Sequence, residues 1–248
     1  MSKIFYYELK RMLLNKVFLT MLLVNGLFAW FILSTDIIRG IAYTAPFSGW
    51  SYCTYLGKTL PLAMVTILLL LSNYYSKKQK QLEVLTLVTP VTAARQMLLR
   101  TAAVSVCFVL IFLLITVLGA FFYSAFFRYT DFAVFLLPSL LIALPCFLFL
   151  TGLGQLLASL HQGMIYALML IAFISGYCGN RTVFDLFGAG YFASYPLTLP
   201  VGADGEPDFT LNAIFCAVRL LYLAIGVACL YFTTLLLDRK SRKALIIY

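Results

Sequence analysis

The sequence predicts an all-α fold, a polytopic membrane protein of six transmembrane helices with an N-terminal amphipathic helix and a candidate re-entrant outer hairpin before the last span. Three observations predict it. Hydrophobic residues make up 63% of the chain and charged residues only 11%, where soluble domains run at about 45–50% and about 25%. Apolar runs approaching the roughly 20 residues needed to cross the hydrocarbon core alternate with short polar segments. The basic residues fall mostly on one side of the layout those runs imply. Mean hydropathy is +0.98, and no tract is polar and long enough for a separate soluble domain, so residues 1–248 read as one membrane domain.

Residues 1–16 carry Lys3, Lys10, Arg11 and Lys16 against the single acid Glu8. At helical spacing Phe5, Leu9, Met12 and Leu13 share one side, which suits a helix lying along the inner membrane surface, or simply a basic flank before the first span. No small-residue cleavage site follows the apolar run, so a cleaved signal peptide is not expected. The first span covers residues 17–33. An outer loop, 34–56, follows, and its Tyr43, Phe47, Trp50, Tyr52 and Tyr55 are expected to form a belt at headgroup level. The second span is 58–75.

Residues 76–100, SKKQKQLEVLTLVTPVTAARQMLLR, are the long polar interruption between apolar runs and read as a cytoplasmic elbow. A short amphipathic helix is expected around Leu82, Leu85 and Val88, then a break at Thr89 and Pro90, then a helical run into the third span, 101–122. The fourth span, 132–151, contains Pro138 and Pro145, each of which removes a backbone hydrogen bond. A nearly uncharged turn, 152–162, leads to a short fifth span, 163–178. The outer segment 179–212 holds a stretch, FDLFGAGYFASYPLTLPVG, too apolar for a solvated loop, hence the expected re-entrant element. The sixth span is 213–237, followed by the basic DRKSRK.

This layout places thirteen of the 18 basic residues inside and six of the nine acids outside, so six spans with both ends cytoplasmic are expected. The net charge of +9 is thereby explained by orientation, and nucleic acid is not an expected partner. Chemistry is sparse. YCTYLGKT ends like a phosphate-binding loop, but Tyr52 stands where its first glycine belongs. His161 is the sole histidine, which leaves no histidine-based zinc site, and no G-x-S-x-G elbow occurs. Asn180, Arg181 and Thr182 match a glycosylation acceptor. None of the six cysteines forms a C-x-x-C pair; Cys53 and Cys178 both fall toward the outer side and are a candidate disulfide. Arg219 stands about seven residues inside the outer end of the sixth span. It either snorkels to the headgroups, pairs with an outer acid such as Asp185, or lines a translocation path.

Taken together, the basic start YELKRMLLNKVFL, the six spans, the elbow QLEVLTLVTPVTAARQMLLR, GLGQLLASL after the fourth span and SYPLTLP before the sixth resemble the type-2 permease family, the integral membrane subunits of ABC exporters. The resemblance covers nearly the whole chain. It implies a transport subunit rather than an enzyme, located in the cell membrane of a bacterium. It also implies a cytosolic ABC ATPase partner that binds ATP and magnesium, a second permease subunit, identical or related, and no cofactor on this chain. Lys80, Gln81, Glu83, Thr89, Pro90 and Arg95 would form or flank the coupling helix, Glu83 being its acid and Pro90 the turn after it, and Arg100 would follow on the return helix. The chain departs from the family at Lys77, Lys78 and Lys80, where members often carry acids, so the facing ATPase surface would be acidic. The substrate implied is amphipathic or hydrophobic: a peptide, a drug or a lipid. A stand-alone carrier or channel, expected to hold ionisable residues in several spans, and a membrane-embedded enzyme, expected to cluster His, Asp or Glu at one face, are the competing readings.

Overall fold

The computed structural model describes residues 2–75, 93–178, 182–202 and 205–246, and every regular element among them is helical. The chain runs α1 (Ser2–Leu13), α2 (Lys16–Thr35), α3 (Gly49–Tyr74), α4 (Ala93–Phe127), α5 (Ala133–Leu160), α6 (Gly163–Tyr177), the short α7 (Ala189–Ser194) and α8 (Ala213–Ile246), with 3-10 turns at Ile37–Arg39 and Tyr195–Thr198. Helices α2, α3, α4, α5 and α8 are each long and apolar enough to cross a bilayer. At 15 residues, α6 reaches only about 22 Å, short of the roughly 30 Å hydrocarbon core.

The most buried spanning helix is not the most apolar one. The least apolar spanning helix, α3 (mean hydropathy 1.6), has 78% of its most apolar window buried, whereas α8, at 2.3, has 22%. In water this order would be reversed. In lipid, apolar side chains face outward at no cost, and hydroxyls and amides turn inward to find partners. The chain is therefore a polytopic helical membrane protein. Helix α3 packs against α2, α4, α5, α6 and α7. Asn25 Nδ2 reaches Thr66 Oγ1 at 2.9 Å, Tyr55 Oη donates to the Ile115 carbonyl at 2.8 Å, and Gln155 Nε2 on α5 donates to Thr101 on α4 at 2.9 Å.

Two expected boundaries move. Helix α3 begins at Gly49, after the Ser48 hydroxyl accepts from Ser51 N, so Trp50, Tyr52 and Tyr55 belong to the span and not to an outer loop. All three are at most 5% exposed. Trp50 Nε1 donates to the Pro207 carbonyl at 3.0 Å and Tyr52 stacks on Phe135 at 4.3 Å. Of the expected belt, only Tyr43 and Phe47 are exposed. Likewise, most of 152–162 is not a turn but the last part of α5, which continues to Leu160. The glycines there make contact between helices: a Cβ on Gly152 would lie 2.3 Å from the Gly226 carbonyl oxygen, and one on Gly226 would lie 2.5 Å from Leu148. Helices α5 and α8 thus meet backbone to backbone, the use small residues serve in membrane bundles.

The segment before α8 enters the bundle. Phe187, Tyr191 and Phe192 are buried, and a Cβ on Gly57 would fall 2.5 Å from Ala189 N. Gly57 stands eight residues inside α3, a depth of about 12 Å. Cys53 and Cys178 are both free thiols, the first buried within α3 and the second exposed at the end of α6, so the candidate disulfide does not form.

Candidate functional site

Two constellations stand where the sequence concentrates charge against apolar surroundings. The first is built on Arg219. Helical spacing sets Phe215 one turn before it and Tyr222 one turn after it. Its guanidinium lies 4.4 Å from the Phe215 ring centre and 5.9 Å from that of Tyr222. The side chain has no exposed surface, so it does not snorkel. Instead Nη2 donates to the Asp185 carbonyl at 2.6 Å and Nη1 donates to the Leu186 carbonyl. Tyr222 Oη donates to the preceding carbonyl, that of Phe184, at 2.6 Å, and Cys146 Sγ donates to Leu186 O at 2.7 Å. Three consecutive carbonyls of an irregular segment packed against the bundle thereby acquire donors.

Asp185 meets Arg219 through its carbonyl and spends its carboxylate locally. Its oxygens accept from Phe187 N at 3.1 Å and Gly190 N at 2.8 Å, fixing the entry to α7. Between them Gly188 takes φ +82°, and a Cβ there would lie 3.1 Å from Arg219 Nη2. Glycine is thus required twice, for the left-handed backbone and for the approach of the guanidinium. The arrangement ties residues 184–190 to α5 and α8.

The second constellation lies where α1, α3 and α4 meet. Tyr74, the last residue of α3, has Arg11 of α1 5.3 Å and Arg100 of α4 5.1 Å from its ring centre. Its hydroxyl donates to Glu8 Oε2 at 3.3 Å, and Glu8 pairs with Arg11 at 2.8 Å. The Tyr74 ring, in contact with two guanidiniums, joins the end of α3 to the amphipathic helix and to α4 two turns past its start. Of the residues the sequence singled out for coupling, Arg95 is exposed two residues into α4. Lys80, Gln81, Glu83, Thr89 and Pro90 lie outside the described residues. Among the described residues no group of His, Cys, Asp and Glu could hold a metal ion.

The sequence reading missed the Tyr74 junction and the buried hydroxyls of Tyr52 and Ser139, which lie 3.1 Å apart. A signal for the latter was present: Ser51, Thr54, Tyr55 and Thr59 recur at helical spacing in an otherwise apolar span, marking its protein-facing side. Compared with protein-family profiles, with curated proteins and with solved structures, the chain matches none.

Proposed function

We propose that this chain is the membrane-spanning subunit of an ATP-driven ABC exporter, moving an amphipathic or hydrophobic substrate out of the cytoplasm with a separate ATPase. The observation that carries the reading is the Tyr74 junction. It ties an amphipathic helix, α1, to the last residue of α3 and to Arg100, two turns into α4, the two helices between which the long polar stretch runs, and this is a linkage that could pass a displacement of that stretch into the bundle. ATP binding on the partner shifts that stretch, and the spans follow by differential binding of the partner to two arrangements. In this reading α6 is a sixth span in a locally thinned bilayer, residues 184–201 are the re-entrant hairpin, and residues 3–16 and 239–243 face the cytoplasm of a bacterial cell. Two permease subunits form the path, and Glu83 and Pro90 lie at the ATPase contact.

The test is purification of the tagged protein in mild detergent from its own cells, followed by an ATPase assay, with Glu83→Ala and Pro90→Ala alongside. An ATP-binding subunit should co-purify with the wild type and be lost from both variants. A well-folded protein that never carries ATPase activity would overturn the reading and favour a stand-alone carrier.

A further inference from the structure

Between α4 and α5 a cleft of about 290 Å³ runs along the side of the bundle. Leu113 and Val117 of α4 and Leu136 and Leu140 of α5 form its walls, each at least half exposed. Ala120 lines it with no more than a methyl group. The floor is different in kind: Tyr52 and Ser139 are buried there with hydrogen-bonded hydroxyls. In a bilayer such a gap fills, since walls facing a void lose their dispersion contacts, and the abundant apolar filler is a lipid chain.

The turn joining α4 to α5 stands over one end of the cleft. Tyr129 in that turn stacks on Phe135 at 5.5 Å and meets Phe132 edge-on at 5.6 Å, and both phenylalanines line the cleft. Burial, and then the negative charge of Asp131, hold the Tyr129 hydroxyl above its ordinary value of 10. The same turn carries Arg128, at φ +54°, and Asp131. Both are exposed, and the two form no ion pair with each other. Opposite charges three residues apart, unpaired at the rim of an apolar cleft, complement a headgroup that itself carries both signs.

We infer that this cleft binds one acyl chain of a zwitterionic phospholipid, its phosphate set against Arg128 and its ammonium near Asp131. An anionic lipid would meet the like charge of Asp131. The site depends only on the chain spanning a membrane and is independent of any ATPase partner.

The experiment reconstitutes the protein in vesicles of equal parts palmitoyl-oleoyl phosphatidylethanolamine and phosphatidylglycerol, extracts it in mild detergent and counts retained lipid by native mass spectrometry. The wild type should keep one lipid, phosphatidylethanolamine over phosphatidylglycerol by about five-fold, the factor that one exposed charge contact of about 1 kcal/mol confers. The double change Arg128→Gln, Asp131→Asn should abolish that preference. Ala120→Phe, which fills the cleft, should abolish retention, and Val117→Phe, on an exposed wall, serves the same purpose should Ala120→Phe not fold. Equal retention of the two lipids by the wild type, meaning annular lipid only, would overturn the inference, as would wild-type retention in a folded cleft-filled variant.

Discussion

Replacing Arg219 with methionine keeps an unbranched apolar stem of similar reach and removes the guanidinium. Two buried carbonyls, those of Asp185 and Leu186, then lose their donors. An unsatisfied buried acceptor costs about 1–3 kcal/mol, hence about 2–6 kcal/mol for the pair. Two effects reduce this. Cys146 Sγ still donates to Leu186 O, and an expensive buried charge disappears. We expect a net loosening of residues 184–190 by about 2–4 kcal/mol, which raises the open population of this segment by roughly 30- to 800-fold. Cys146 reports it, because its thiol is fully buried beneath this segment. In a background where the other five cysteines are serine, maleimide labelling of Cys146 should accelerate by that order in Arg219→Met. Arg219→Lys should fall between, since one ammonium cannot reproduce the two-pronged contact. Labelling of Arg219→Met at the wild-type rate would refute the reasoning and leave Arg219 without a holding role.

Two further outcomes follow from close contacts. Gly226→Leu should separate α5 from α8, because even a Cβ there lies 2.5 Å from the Leu148 backbone; loss of about 3 kcal/mol or more should appear as a lower unfolding temperature in detergent, with Gly226→Ala milder. At the Tyr74 junction, Tyr74→Leu should destabilise by about 1–2 kcal/mol through loss of two ring–guanidinium contacts, whereas Tyr74→Phe keeps the ring and removes the hydroxyl with its 3.3 Å bond to Glu8. Thermal unfolding of both variants separates the ring from the hydroxyl.

The membrane reading was legible because it rests on runs of residue type. Helices α2 and α8 begin near their expected starts, whereas α4 begins at Ala93, eight residues before the expected 101, and takes in the last part of the expected elbow 76–100. What misled the sequence reading was context. Trp50, Tyr52 and Tyr55 look like interfacial aromatics, yet their ring faces and polar tips are taken up by Phe209, Phe135, the Pro207 carbonyl and the Ile115 carbonyl. Gly152 and Gly154 look like a turn, because a sequence carries no sign that a second helix approaches within a carbonyl's reach.

Composition and spacing alone determined that this chain is helical and has several helices able to cross a membrane, because transfer to hydrocarbon is close to a sum over residues. Only the tertiary structure decided which faces turn inward. Lipid tails are as apolar as leucine, so hydropathy cannot separate a lipid-facing side from a protein-facing one. The burial of α3, the backbone contact of Gly152 with Gly226 and the grip of Arg219 on the Asp185 and Leu186 carbonyls all depend on where a partner helix or segment happens to provide a fit.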